Sequence, residues 1–262
     1  MRVVRADTIV LVSSAVAPLH AEPKASSEQV SQSVAGHLAT ILETRDGWRR
    51  VRLGDGYEGW MHEGYLEARA MSAIQVRKWE QSALLSLGCS IQVAGSGMKR
   101  ELPLGARVSS EATIVNGAAL DAREARRHFP ETRIAICATA AHWFAGTSYQ
   151  WGGITPWGAD CSGMVQTVFG LHGVALPRDA RQQAELGSEL TLLAEAWLPG
   201  DLLFFSDRTD GRVTHVAIVA AQRTLMHVAI GRGGFAVEQL DDARDPYTAG
   251  LMGRLRGARR IL

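Results

Sequence analysis

The stretch "GADCSGMVQTVFGLHG", residues 158–173, puts a cysteine where it could act as a nucleophile. Met164, Val165, Val168 and Leu171 recur at helical spacing, Asp160 is a good N-cap and Gly173 a stop signal. Cys161 then opens a helix, where unpaired backbone N–H groups and the positive end of the helix dipole favour a thiolate. The competing reading is a small core residue, since free cysteines are often buried. A nucleophilic cysteine also needs a base, and a group that holds the base's tautomer. The chain has eight histidines. His20, His37, His62, His128, His142 and His172 fall in β-rich stretches, on helices or beside turns, and are read as structural. His215 and His227 each interrupt an apolar strand-like run, "RVTHVAIVAAQ" and "TLMHVAIG". An imidazole there is costly unless its nitrogens are paired. The three residues form a candidate Cys–His–His triad.

The triad carries a geometric condition. Side chains alternate along a strand, so His215 and His227 share a face only if facing residue numbers sum to an even value. A two-residue loop pairing Ala221 with Thr224 gives an odd sum. An odd-length loop or a bulge near Ala221–Thr224 is therefore expected. The helix terminus and His215 are also expected to depress the Cys161 thiol pKa, making it the fastest of the three cysteines to alkylate.

The elements that must position these residues lie in the second of two differently textured parts. "ETRIAICATAAHWFAG" reads as an amphipathic helix closed by Gly146, with Cys137 on a core stripe beside Ile134, Ala141 and Phe144. The Cys161 helix follows a Gly/Trp/Pro-rich loop. "GDLLFFS", the two histidine runs and "FAVEQL" are four candidate strands. Helices first and an antiparallel sheet second is the α+β pattern. The first part has short β-rich runs, "TIVLVSS", "QVSQSVAG", "LATILETRDG", "WRRVRLGDG" and "YEGWMH", whose spacing fits a small barrel. "RDG" and "GDG" are hairpin signals, because glycine supplies a positive φ. A polar helix near 72–84 leads to a second, weaker β region, and "DAREARRHFP" reads as a linker or short helix.

A chain of 262 residues can bury a real core in one large or two to three small domains. A formal charge of +1 gives no reason to expect nucleic acid as a partner. Cys89, Cys137 and Cys161 lack zinc-ligand spacing and are too few for a disulfide scaffold. No apolar run approaches a membrane span. The N-terminal run imitates a signal peptide, but Asp7, Pro18 and its β-branched residues read as a first strand. The compartment stays open: cytoplasm, or periplasm or exterior if an export signal preceded this numbering.

With these motifs in place, "YQWGGITPWGADCSGMVQTVFGLHGVALPRDARQQ", "LPGDLLFF", "THVAIVAA" and "MHVAIG" resemble the NlpC/P60 family of papain-like cell-wall cysteine peptidases. The likeness covers about residues 131–262. It implies Cys161 as nucleophile, His215 as general base, His227 as its orienting partner, and Tyr149 of "YxWGG" sharing the oxyanion with the Cys161 N–H. "LHAEP" and "RDGWRRVRLGDGYEGWMHEGYL" resemble a bacterial SH3 domain. The implied fold is α+β: a papain-like NlpC/P60 catalytic domain over 131–262, preceded by two small SH3-like β-barrels. The first covers 1–70, and a divergent second one with a linker covers 71–130.

This arrangement resembles the γ-D-glutamyl-L-diamino acid endopeptidases, which cut murein stem peptides bearing a free N-terminal L-Ala. The resemblance implies that Glu22 and Tyr57 read the free amine. It makes Asp160, Ser162, Arg178 and Asp179 substrate contacts, while the frequent serine after Asp179 is Ala180 here. No cofactor or metal is implied, and a monomer is expected. Two other functions compete. An acyl-lipid hydrolase or transferase would need a membrane-facing apolar segment, which is not found. An inactive wall-binding SH3 protein would usually have lost a catalytic position, and none is lost. Lys or diaminopimelate as the diamino acid stays open.

Overall fold

The structure, a computed structural model, describes residues 8–93, 95, 97–221, 223–240, 242 and 244–262. The start of the expected first strand, residues 1–7, lies outside these. The chain divides into two units, Met1–His128 and Phe129–Leu262.

The N-terminal unit opens with β1 (Thr8–Leu11), β2 (Val16–His20), β3 (Gln29–Val34), β4 (Leu38–Arg45), β5 (Trp48–Leu53) and β6 (Glu58–His62). They pair antiparallel in the order β1-β4-β5-β6-β2-β3. Alternation sends Val10, Ala17, Leu19, Ile41, Val51 and Met61 into one core. The β4–β5 turn follows its sequence signal: Asp46 and Gly47 have φ of 45° and 82°, the positive values that a tight hairpin requires.

Next come α1 (Ala73–Ser82), β7 (Leu84–Gln92), β8 (Lys99–Val108), β9 (Ile114–Leu120) and α2 (Ala122–His128). Ser72 and Gln75 form a capping box on α1. Among the described residues β7–β9 make a three-stranded sheet, β8-β7-β9. The turn after β3 is tied to β8 by Arg107 N–H to Ala35 O (2.8 Å) and to α1 by Trp79 Nε1–H to Gly36 O (2.8 Å). Both β-rich stretches lie within the unit Met1–His128.

The C-terminal unit runs α3 (Arg133–Phe144), β10 (Ile154–Thr155), β11 (Gly158–Ala159), α4 (Cys161–Leu171), α5 (Ala180–Gln183), β12 (Ser188–Glu189), β13 (Leu202–Phe205), β14 (His215–Ala221), β15 (Thr224–Ala229), β16 (Gly234–Gln239), α6 (Pro246–Met252) and β17 (Leu255–Arg260). Six strands form an antiparallel sheet, β12-β17-β13-β14-β15-β16. Even-numbered residues Val216, Ile218, Met226 and Val228 pack with Met164, Val165 and Val168 of α4. Odd-numbered Ala217, Val219 and Leu225 pack with Trp197 and Leu251 on the other face. On α3 the buried stripe is Ile136, Cys137, Ala140 and Phe144, whereas Ile134 is 67% exposed and Ala141 is exposed too. The expected stripe holds for Cys137 and Phe144, but the helix is rotated so that Ile134 and Ala141 face solvent. None of the helices among the described residues is long and apolar enough to cross a membrane.

Candidate active site

Cys161 is the first residue of α4 and is buried. Its N-cap Asp160 accepts the Gly163 N–H (2.8 Å) and the Ser162 hydroxyl (3.2 Å) at Oδ1, and the Gly152 N–H (2.8 Å) at Oδ2. Arg178 completes the set, with Nη1 3.0 Å from Oδ1 and Nη2 2.6 Å from Oδ2. Arg178 Nη1 also donates to Ser162 Oγ at 2.8 Å. The fit of the 150s loop against this helix end depends on glycine. A Cβ on Gly163 would lie 2.0 Å from the Gly153 carbonyl oxygen.

Tyr149 is half-buried beside the same core, and its N–H donates to Gly233 O at 3.0 Å. Burial, with Cys161 and Asp160 nearby, holds its phenol above the ordinary tyrosine range, so the hydroxyl stays a neutral donor.

The histidine hairpin meets the parity condition by a bulge. Ala221 faces Thr224, but the register shifts so that Val219 faces Leu225 and Ile218 faces Met226. His215 and His227 therefore share a face as diagonal neighbours, with His215 Nε2 2.8 Å from His227 Nδ1. This is the face opposite α4. His215 opens β14 and is half-buried, while His227 is fully buried. The Cys161 sulfur meets β14 one residue along, where it accepts the Val216 N–H.

The thiol pKa runs against the sequence expectation. Burial, with the Asp160 carboxylate beside it, pushes Cys161 up to about 12, outweighing the donors at Val216 and Ser162 and the charge of Arg178. Burial and His227 push His215 down to about 3. The resting pair is a neutral thiol and a neutral imidazole, because desolvation outweighs the pull of the helix end. Only the thiolate alkylates. Iodoacetamide labelling of Cys161 is thus expected to be slow in mildly acidic buffer and to climb steadily toward alkaline pH. A fast acid-side plateau would bring back the depressed thiol.

Glu22 and Tyr57 belong to the N-terminal unit. Glu22 is exposed and ion-paired with Lys24 (2.6 Å), which holds its carboxyl below the usual carboxylate range. Tyr57 is half-buried against the first core. Asp179 is the N-cap residue of α5, next to Arg178. Of the structural histidines, His172 is buried between Thr139 Oγ1 (2.9 Å) and Pro130 O (2.7 Å).

Sequence reasoning missed one group at this site. Glu238 of β16 is buried with Oε1 3.1 Å from His227 Nε2. Arg232 donates to it from Nε (2.8 Å) and Nη2 (2.7 Å), and Thr248 Oγ1 donates at 2.6 Å. The signal was parity again: Leu225 faces Glu238 and His227 faces Ala236, so Glu238 lies on the histidine face.

A cysteine-headed helix packed on an antiparallel sheet that carries paired histidines defines an α+β thiol-hydrolase architecture. Known proteins make this specific. Residues 146–249 match the NlpC/P60 family, and residues 19–66 match the bacterial dipeptidyl-peptidase SH3 domain. A probable endopeptidase of Haemophilus influenzae is 34% identical over 45% of this chain and 70% of its own. A γ-D-glutamyl-L-lysine dipeptidyl-peptidase of Bacillus cereus is 26% identical, covering 88% of this chain and 75% of that one. Dipeptidyl-peptidase 6 of Lysinibacillus sphaericus is 27% identical over 90% and 93%. The crystal structure of an NlpC/P60 family protein from Bacillus cereus superposes with a TM-score of 0.80 at 20% identity, covering 97% and 100%, a likeness of fold. The chain belongs to the NlpC/P60 family, and it is a cysteine peptidase.

Proposed function

We propose that this peptidase cleaves the bond between γ-D-Glu and the diamino acid, Lys or diaminopimelate, in murein stem peptides with a free N-terminal L-Ala, during cell-wall turnover or recycling. The observation that carries the reading is the 2.8 Å contact between His215 and His227, beside a strand whose backbone also holds Cys161. The names of the Bacillus cereus and Lysinibacillus sphaericus relatives support the dipeptidyl class of cut.

In this mechanism the Cys161 thiol passes its proton to His215 as substrate binds, and the sulfur attacks the γ-carbonyl carbon of D-Glu. The Tyr149 hydroxyl and the Cys161 N–H hold the oxyanion. Protonated His215 then gives its proton to the departing amine, leaving a thioester. Water, deprotonated by His215, attacks the thioester and restores the thiol. The family resemblance supports Asp160, Ser162, Arg178 and Asp179 as substrate contacts, and Glu22 and Tyr57 as the residues that read the ammonium.

The Glu22–Lys24 pair is exposed, so it is weak and gives way readily to a substrate ammonium. Glu22→Ala is expected to lower kcat/KM on free-amine peptides about tenfold or more, each factor of ten being about 1.4 kcal/mol. It should barely change the poor activity on N-acetylated peptides. Mass spectrometry of L-Ala-γ-D-Glu-diaminopimelate digests, with the amine free or blocked, is the test. Equal cleavage of intact murein sacculi and free peptides by the wild type would overturn the specificity, as would unchanged kinetics in Glu22→Ala.

A further inference from the structure

Three strands carry a line of polar side chains across the sheet face that also buries Ala217, Val219 and Leu225. His215 on β14, His227 on β15 and Glu238 on β16 are each a diagonal neighbour of the next, with contacts of 2.8 and 3.1 Å. Glu238 stands at the end of this line furthest from the cysteine's helix, yet it is among the most thoroughly anchored side chains of the unit. We propose that Glu238, clamped by Arg232 and Thr248, is a positioning residue that fixes the tautomer of His227, and through it leaves Nδ1 of His215 as the free base. The inference rests on the catalytic roles proposed above for Cys161 and His215.

An ionised carboxylate only accepts hydrogen bonds, and a two-point arginine pair favours the ionised form. Burial alone would raise the Glu238 pKa, but hydrogen bonds from Arg232, His227 and Thr248 hold it well below the usual carboxylate range. His227 Nε2 must then carry a hydrogen and donate it. In neutral His227 this leaves Nδ1 as an acceptor, so across the 2.8 Å contact His215 Nε2 must donate. His215 Nδ1 is therefore unprotonated. The opposite tautomer of His227 would place the hydrogen on His215 Nδ1 and leave no base for the thiol.

Arg232 has a second task. A buried carboxylate with no matching charge is costly. With Arg232 in a two-point pair, Glu238 orients the ring while its charge is largely matched. The guanidinium is itself held by Asp245 and stacked over the Tyr247 ring at 4.2 Å. Among the described residues, the charged and titratable groups around the two histidines are thus Glu238, Arg232, Asp245 and Tyr247 on the β16 and α6 side, and Asp207 beyond β13. Arg232 also lies in the turn whose Gly233 carbonyl accepts the Tyr149 N–H, so one turn anchors the relay and the Tyr149 backbone.

When an orienting carboxylate touches the base directly, its loss drops kcat by about 10⁴ through the wrong tautomer. Glu238 stands one hydrogen bond further out, so a smaller loss is expected. The experiment uses the full chain with nitrogen-15-labelled histidine, its imidazole signals assigned with His227→Asn, together with kinetics on the free-amine peptide. Wild-type His227 is expected to be protonated at Nε2 and bare at Nδ1. Glu238→Gln, nearly isosteric but able to donate as well as accept, is expected to mix or reverse that tautomer. Its kcat should fall at least about tenfold while KM stays within about twofold. Glu238→Asp keeps an acceptor-only group and is expected to recover the wild-type tautomer and most of kcat. A purely structural role for Glu238 would leave the tautomer untouched. A wild-type His227 protonated at Nδ1 overturns the proposal without any variant needing to fold. So does a Glu238→Gln protein whose tautomer and kcat match the wild type. If the wild type has the expected tautomer but does not cut the peptide, the substrate assignment fails while the positioning role stands, because the spectra need no substrate.

Discussion

Cys161→Ala is expected to lower hydrolysis of the free-amine tripeptide by about a thousandfold or more, with the protein still folded. Losing a nucleophile removes the covalent route, and the oxyanion donors and binding contacts that remain supply only a residual rate. The change should cost little stability. The thiol is buried and neutral, it follows the helix cap rather than forming it, and alanine is a better helix former at the first turn. A loss of within about 1 kcal/mol is expected. This separation of effects is what discriminates among functions. An SH3 protein that only binds wall material would behave identically with and without the Cys161 thiol, and show no turnover in either form. A peptidase loses turnover while keeping its affinity for the peptide. The measurement is product formation by mass spectrometry, beside peptide binding by calorimetry. Full activity in Cys161→Ala would remove Cys161 from the nucleophile role.

The helix, the strands and the paired histidines were legible in the chain because each is announced locally. Asp160 caps α4, its apolar residues recur at helical spacing, and His215 and His227 stand out in apolar runs. Parity called for an odd-length loop or a bulge, and a bulge appears between Val219 and Ala221. What stayed hidden depends on partners from elsewhere in the chain. Glu238 in "FAVEQL" reads as one solvent-facing position of a period-two strand. Its burial makes sense only with Arg232 from the preceding turn and Thr248 from α6. The raised Cys161 thiol was missed for the same reason. A helix end can be read from sequence, but the desolvation that opposes it comes from packing against β14. The rotation of α3 is a third case, since Ile134 is apolar by type and exposed by position.

Arg178→Leu is expected to destabilise the C-terminal unit by about 3–5 kcal/mol, the range for removing one partner of a buried ion pair. The sequence reads Asp160 as a helix cap, and the family resemblance makes both Asp160 and Arg178 substrate contacts. In the structure their side chains are 9% and 2% exposed, and the guanidinium bonds both carboxylate oxygens. Without Arg178, Asp160 keeps the Gly152 and Gly163 N–H groups and the Ser162 hydroxyl but loses its matching charge. A buried carboxylate left in that state either takes up a proton or opens the loop to water, and both loosen the first turn of α4, where Cys161 sits. Leucine fills much of the vacated space, so the cost is electrostatic more than a cavity. Adding Asp160→Asn removes the orphaned charge while an amide oxygen can still cap the helix. The double variant is therefore expected to be more stable than Arg178→Leu alone, a coupling that a simple packing defect would not produce. Because the chain has two units, a single unfolding curve would blend them. Hydrogen exchange at the α4 amides reports on this unit directly: protection should fall in Arg178→Leu and largely return in the double variant. Unchanged α4 protection in Arg178→Leu would mean the backbone donors alone hold Asp160, and would return Arg178 to a role in substrate binding only.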